Sequence, residues 1–111
     1  MFNRVTLIGH LTDPPVMGNT STAICNFRVV TTEKWKNRTT GHPEDLPTYH
    51  QVVAWDKLAV VCGEILEKGA LVFVDGIIHH RVRQAADGTK RHETEIKANN
   101  VLRLNRTKGL D

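Results

Sequence analysis

The sequence predicts an all-β domain with a small α contribution: a five-stranded barrel with one helix between strands 3 and 4. Three observations point there. Short segments alternate apolar and polar residues with a period of two and are separated by turn signals. Only one stretch, 57–68, shows helical spacing. A length of 111 residues suits one compact domain.

The first strand, 2–11, is rich in strand formers and stops at Asp13-Pro14-Pro15, where proline fixes its own φ and pushes its predecessor towards extended geometry. A polar stretch, Gly18-Asn19-Thr20-Ser21, leads to the second strand. There Ala23, Cys25, Phe27 and Val29 fall on one face and Thr22, Asn26 and Arg28 on the other. Residues 36–47 have neither periodicity and read as a long loop at an extended, mobile hairpin tip. The third strand, 48–55, ends at Asp56, an N-cap for a helix over 57–68. Leu58, Val61, Cys62, Ile65 and Leu66 form its apolar stripe, Glu64 lies four residues before Lys68, and Gly69 is the C′ glycine. Gly63 inside this helix costs about 1 kcal/mol against alanine, and nothing local explains it.

The fourth strand, 70–83, is apolar on both faces at Leu71-Val72-Phe73-Val74 and at Ile77-Ile78, which implies burial by the core on one side and by another subunit on the other. Gly76 marks a bulge or bend. Asp87-Gly88 is a hairpin signal. The fifth strand is expected to expose Arg91, Glu93, Glu95, Lys97 and Asn99 opposite Thr94, Ile96 and Ala98. The order β-β-β-α-β-β is the OB-fold arrangement, whereas a ferredoxin-like sandwich needs two helices. The reading is an OB domain over 1–105 and a short tail over 106–111.

Fifteen Lys/Arg against twelve Asp/Glu give a net charge of +3, which permits a polyanionic partner without establishing one. No run of eighteen apolar residues is present, so no membrane partner is expected. Patterned sequence begins within a few residues of Met1, as in a cytoplasmic rather than a secreted protein. Cys25 and Cys62 stand alone and read as small core residues. The carboxylates are dispersed, and no phosphate loop or nucleophile elbow occurs, so no enzyme is expected. His79 and His80 are adjacent on a strand and point to opposite faces, and His92 lies across the hairpin. No metal or cofactor is expected.

The aromatics carry the functional signal. Tyr49 and Trp55 share one face of a strand, about 20 Å apart at roughly 3.3 Å per residue. Trp35 sits between Lys34 and Lys36, and Lys57 follows Trp55 by two residues. Rings interleaved with cations suit single-stranded nucleic acid: rings stack on bases while Lys and Arg track phosphates. Trp55 as a core residue, and Tyr49 packed on the helix with its hydroxyl at the surface, stand beside that reading. Trp35 is the hardest of the three to bury.

In register along residues 2 to about 104, the chain resembles the bacterial single-stranded DNA-binding proteins. The resemblance rests on 3–11 (NRVTLIGHL) with Asp13-Pro14, 27–32 (FRVVTT) leading to Trp35, 49–55 (YHQVVAW) with Lys57-Leu58-Ala59, Lys68-Gly69 through Val74-Asp75-Gly76, and the Asp87-Gly88 hairpin. It implies base stacking by Trp35, Tyr49 and Trp55, a DNA path along Lys57, Lys68 and Arg81, and a place for His50 near a subunit interface. It also implies sequence-independent protection of single-stranded DNA in replication, recombination and repair, in the nucleoid, by a homotetramer, with a dimer as the alternative. Arg83 departs from the family, standing where many relatives carry a further stacking tryptophan; a guanidinium there can stack and also pair with phosphate. The tail departs too. Relatives continue into a flexible linker and an acidic tip that recruits partner enzymes, whereas this chain stops at Gly109-Leu110-Asp111, so such recruitment is not expected. Two alternatives share the fold: a dimeric adaptor of the primosomal-replication-protein-B type, and an RNA-directed OB module.

Overall fold

Alternation becomes a barrel wall in the third strand, where Cys25, Phe27 and Val29 are buried and Arg28 between them is exposed. The computed structural model describes residues 1–19 and 21–106. Its elements are β1 (Val5–Leu11), β2 (Val16–Asn19), β3 (Ala23–Lys36), β4 (Pro43–Trp55), α1 (Asp56–Ile65), β5 (Leu71–Gln84) and β6 (Lys90–Arg103). The sheet runs β1-β5-β6-β4-β3, and β1 also pairs with β3, closing a five-stranded barrel; β2 is added on the free side of β3. The β4–β6 ladder is parallel and the others are antiparallel. This is the predicted OB barrel, with its helix between β4 and β5. Leu11, Val29, Val52, Val72 and Val74 fill it, each worth about 1.5–3 kcal/mol of hydrophobic burial.

Residues 36–47 are not a long loop. β3 and β4 stay paired out to Lys36↔Pro43, and only 37–42 turn. Backbone hydrogen bonds extend this ribbon beyond the barrel, where exposure on both faces removes the burial that imposes alternation. The tip is tight: the Asn37 side-chain oxygen accepts from the N–H groups of Thr39 at 2.8 Å and Thr40 at 3.2 Å. β1 begins at Val5 rather than Phe2. Asn3 occupies the ladder position with its side chain, donating to the Ile78 carbonyl at 2.9 Å and accepting from the Ile78 N–H at 3.0 Å. β2 was not foreseen, because its Val16 and Met17 are exposed and its four residues carry no period.

The helix is shorter than its pattern. Asp56 is not an N-cap; it is left-handed at φ 57°, and Trp55 precedes the first turn without a side-chain cap bond. The helix stops at Ile65 because Leu66 turns extended to bury itself under the barrel, and Arg103 donates to the Ile65 carbonyl at 2.9 Å. Gly69, at φ 92°, serves the following turn, in which its N–H donates to the Leu11 carbonyl. Ala59 takes the core place expected of Val61, which is exposed. Gly63 now has a reason: a Cβ there would lie 2.9 Å from the Met17 sulfur, so its absence lets the helix pack on β2.

On β5 the outward Leu71 and Phe73 are half-buried. The register Ile8↔Phe73↔Leu102 forms an apolar row on the outer face, with Ile8 and Leu102 exposed and no cover within the described chain. Gly76 faces the bulge: pairing passes from Asp75↔Asn100 to Gly76↔Ala98, leaving Asn99 of β6 as the extra residue. Across the β1–β5 ladder, Arg4 and Thr6 hydrogen-bond Asp75 and hold its carboxyl below the usual range. Glu95, expected on a solvent face, is buried; that face of β6 is the floor of a cleft described below. The predicted tail lies, beyond Arg106, outside the described residues.

Cys25 and Cys62 are core residues, as expected. Burial, and for Cys62 the neighbouring Cys25, pushes the thiols up, Cys62 from the ordinary 9.0 to about 12. Unfolded thiols ionise near pH 9 while the folded ones stay protonated, so above that pH the unfolded state binds fewer protons and stability falls as pH rises towards 12. We therefore expect both thiols to resist Ellman's reagent in the native protein and react only on unfolding. Melting curves between pH 8 and 11 should shift downwards in the wild type, and less in a Cys62→Ala variant.

Candidate nucleic-acid interface

Strand register builds the site. The β3–β4 ladder sets Trp55 opposite Ile24, Val53 opposite Asn26, Gln51 opposite Arg28 and Tyr49 opposite Val30, so Tyr49, Gln51, Val53 and Trp55 share the face away from the core. The β5–β6 ladder sets His79 opposite Glu95, Arg81 opposite Glu93 and Arg83 opposite Arg91. The two walls meet across a polar cleft of about 630 Å³, lined by Asn26 and Gln51 on one side and by Arg81, Arg83, Glu93, Thr94 and Glu95 on the other. Through Asn26, Arg81 and Glu95 it runs into a hollow of about 380 Å³ that ends at Trp55. It shares Gln51, Thr94 and Glu95 with a hollow of about 390 Å³ that Tyr49 lines together with Val5, Leu7, His50, Ile78 and Ile96. One ring lines each neighbouring hollow, and Arg81 and Arg83 line the cleft itself.

Trp55 is 40% exposed and Tyr49 56%, too open for core residues. Trp35, at 45%, is also open but does not join the cleft. Its register position places it on the opposite face of the ribbon from Tyr49, beside a separate hollow with Lys36, Asn37 and Arg38. Lys34 lies on the ribbon opposite Asp45. Lys57, in the first helical turn, and Lys68, in the turn before β5, are exposed and line none of these three hollows. His50, half-buried with its Nε2 2.8 Å from the Thr31 hydroxyl, lines the same hollow as Tyr49 although it stands on the opposite parity of β4.

Three features escaped the sequence reading. Glu95, 6% exposed, sits at the floor of the cleft with His79 Nδ1 at 3.2 Å and Arg81 Nη1 at 3.8 Å. A buried carboxylate needs such partners, and its charge disfavours phosphate on the floor. Arg83 and Arg91 are direct cross-strand neighbours of like charge, a repulsion that a bound anion relieves. Arg28 lies over the Tyr49 ring, its Cζ 4.9 Å from the ring centre. Among the described residues no group of three His, Cys, Asp or Glu side chains is placed to hold a metal, and no helix is long and apolar enough to cross a membrane.

The single-strand binding protein family matches residues 2–104, the barrel and the cleft together. The chain belongs to that family. A single-stranded DNA-binding protein of Neisseria meningitidis serogroup A is 40% identical over 105 residues, covering 92% of this chain and 59% of the relative. A serogroup B counterpart matches equally. The chain thus spans about three-fifths of the length of these relatives. Among solved structures, a deletion mutant of the single-stranded DNA binding protein from Thermus aquaticus is similar with a TM-score of 0.78 and 32% identity, over 94% of this chain and 51% of that one. The Plasmodium falciparum SSB in complex with ssDNA shares the fold, with a TM-score of 0.82 and 24% identity over 95% of this chain and 96% of that one. The family's barrel here carries an arginine pair, Arg81 and Arg83, along one cleft wall and its most exposed cleft ring, Tyr49, at one end.

Proposed function

We propose that this chain binds single-stranded DNA without sequence preference and protects it during replication, recombination and repair. The observation that carries the reading is a cleft lined by Arg81 and Arg83 and flanked by two hollows that share its residues, one lined by Trp55 and the other by Tyr49. Bases stack on Trp55 and Tyr49, and the strand continues to Trp35 at the ribbon tip; Arg81 and Arg83 meet phosphates in the cleft, and Lys34, Lys36, Lys57 and Lys68 meet them outside it. The family relationship and the name of the Neisseria relatives support DNA as the ligand. Binding is non-catalytic and takes place on the DNA of the nucleoid. The protein works as a homotetramer, with the exposed Ile8–Phe73–Leu102 row and the His50 side of the barrel as surfaces between copies.

The test is a titration of tryptophan fluorescence with oligo(dT) at low and high salt, on protein of known oligomeric mass. Quenching that saturates at a fixed number of nucleotides per tetramer supports the reading. Absence of quenching and of binding at low salt overturns it, and preference for a matched RNA strand redirects it. Arg83→Ala is expected to lower affinity and to flatten the dependence of log K on log salt by about 0.7, one phosphate contact on a single strand; an unchanged slope would show that Arg83 makes no such contact.

A further inference from the structure

We infer that Arg28 is a positioning residue for Tyr49 rather than a phosphate ligand, and that Asp13 holds it in that role; the inference rests on the proposed stacking at Tyr49. Arg28 faces the cleft by register, opposite Gln51, and as a half-exposed cation it would ordinarily be counted among the phosphate contacts. Its geometry points elsewhere. The guanidinium carbon stands 4.9 Å from the centre of the Tyr49 ring, within the range of a cation–π contact. Its Nη2 donates to Asp13 Oδ2 at 2.6 Å, and Thr12 Oγ1 donates to the same oxygen at 3.3 Å. Asp13 is itself fixed by the β1–β2 turn, where Pro14 and Pro15 follow.

Half-exposed ion pairs of this kind add little to stability, so their effect here is on geometry and charge. A planar guanidinium backs one face of the ring and leaves the other free, so Tyr49 takes a single base, on the side away from Arg28. Asp13 already neutralises the guanidinium, so docking DNA beside Arg28 releases no counterion on its account.

Two readouts test this. The chain has one tyrosine, so in the free protein the Tyr49 ring resonances should move in both Arg28→Ala and Asp13→Asn; resonances unchanged in Arg28→Ala overturn the contact even if DNA binding fails for other reasons. In oligo(dT) titrations, Arg28→Ala should weaken binding roughly two- to five-fold with an unchanged salt slope, and should cost nothing further in a Tyr49→Ala background. Asp13→Asn frees the guanidinium and should steepen the slope by about 0.7. A slope flattened by Arg28→Ala, an equal loss with and without Tyr49, or an unchanged slope in Asp13→Asn overturns the inference. Failure of the wild type to bind oligo(dT) overturns the proposed function instead and leaves the resonance test to decide the contact.

Discussion

Trp55→Ala is expected to weaken binding of oligo(dT) by roughly 5- to 150-fold, the range of one lost base stack. The ring lines a hollow together with Gly18, Val53 and Arg81, where the proposed stacking would place a base. The substitution removes no charge, and the salt slope should not change. Nor should it cost a helix cap: Trp55 occupies the N-cap position, but no side-chain bond is made from it. The melting temperature therefore separates two roles for the ring. Weaker binding at unchanged stability marks a stacking platform; unchanged binding with a lowered melting temperature would make the ring a cover over buried Val53, and the stacking at that end of the cleft would fall.

Gly76→Ala is expected to destabilise the fold by at least about 3 kcal/mol and to lower the melting temperature by roughly 10 °C or more. A Cβ at this position would lie 2.2 Å from the Lys97 carbonyl oxygen and 3.0 Å from the Ala98 Cα. Both are backbone atoms of β6, held by the ladder on either side of the bulge, so neither yields without breaking pairing. Gly63 shows the contrast, since the atom nearest its missing Cβ is the far end of the flexible Met17 side chain. Thermal melts of Gly76→Ala decide the matter. A melting temperature within a few degrees of the wild type would mean that the bulge relaxes, and that its glycine is not required for barrel closure.

Much of the barrel was legible because burial on one face leaves a mark in the chain. Cys25, Phe27 and Val29 alternate with polar residues, and the structure buries all three. Gly76 announced its bulge, and Asp87-Gly88 its hairpin, in which Gly88 takes φ 86°. The chemical character of the cleft was legible too, since Tyr49 and Trp55 share a strand and a parity that puts both rings on one face.

What escaped has a common cause. The long β3–β4 ribbon is held by backbone pairing to Lys36↔Pro43, which leaves no pattern when both faces meet solvent. Strand β2 and the close approach at Gly63 arise from a helix lying over Met17, a neighbour forty-six positions away in sequence. Glu95 alternates as a surface residue should, yet it is buried because His79 and Arg81 of another strand close over it. Arg28 reads as one more cation until Asp13 and Tyr49 are seen on either side of it. The sequence by itself determined the inward set of β3, the Asp87-Gly88 turn and that Tyr49 and Trp55 share one face. Only the tertiary structure decided which of them meet, because side-chain periodicity records burial along a strand, while a site is made by neighbours across strands.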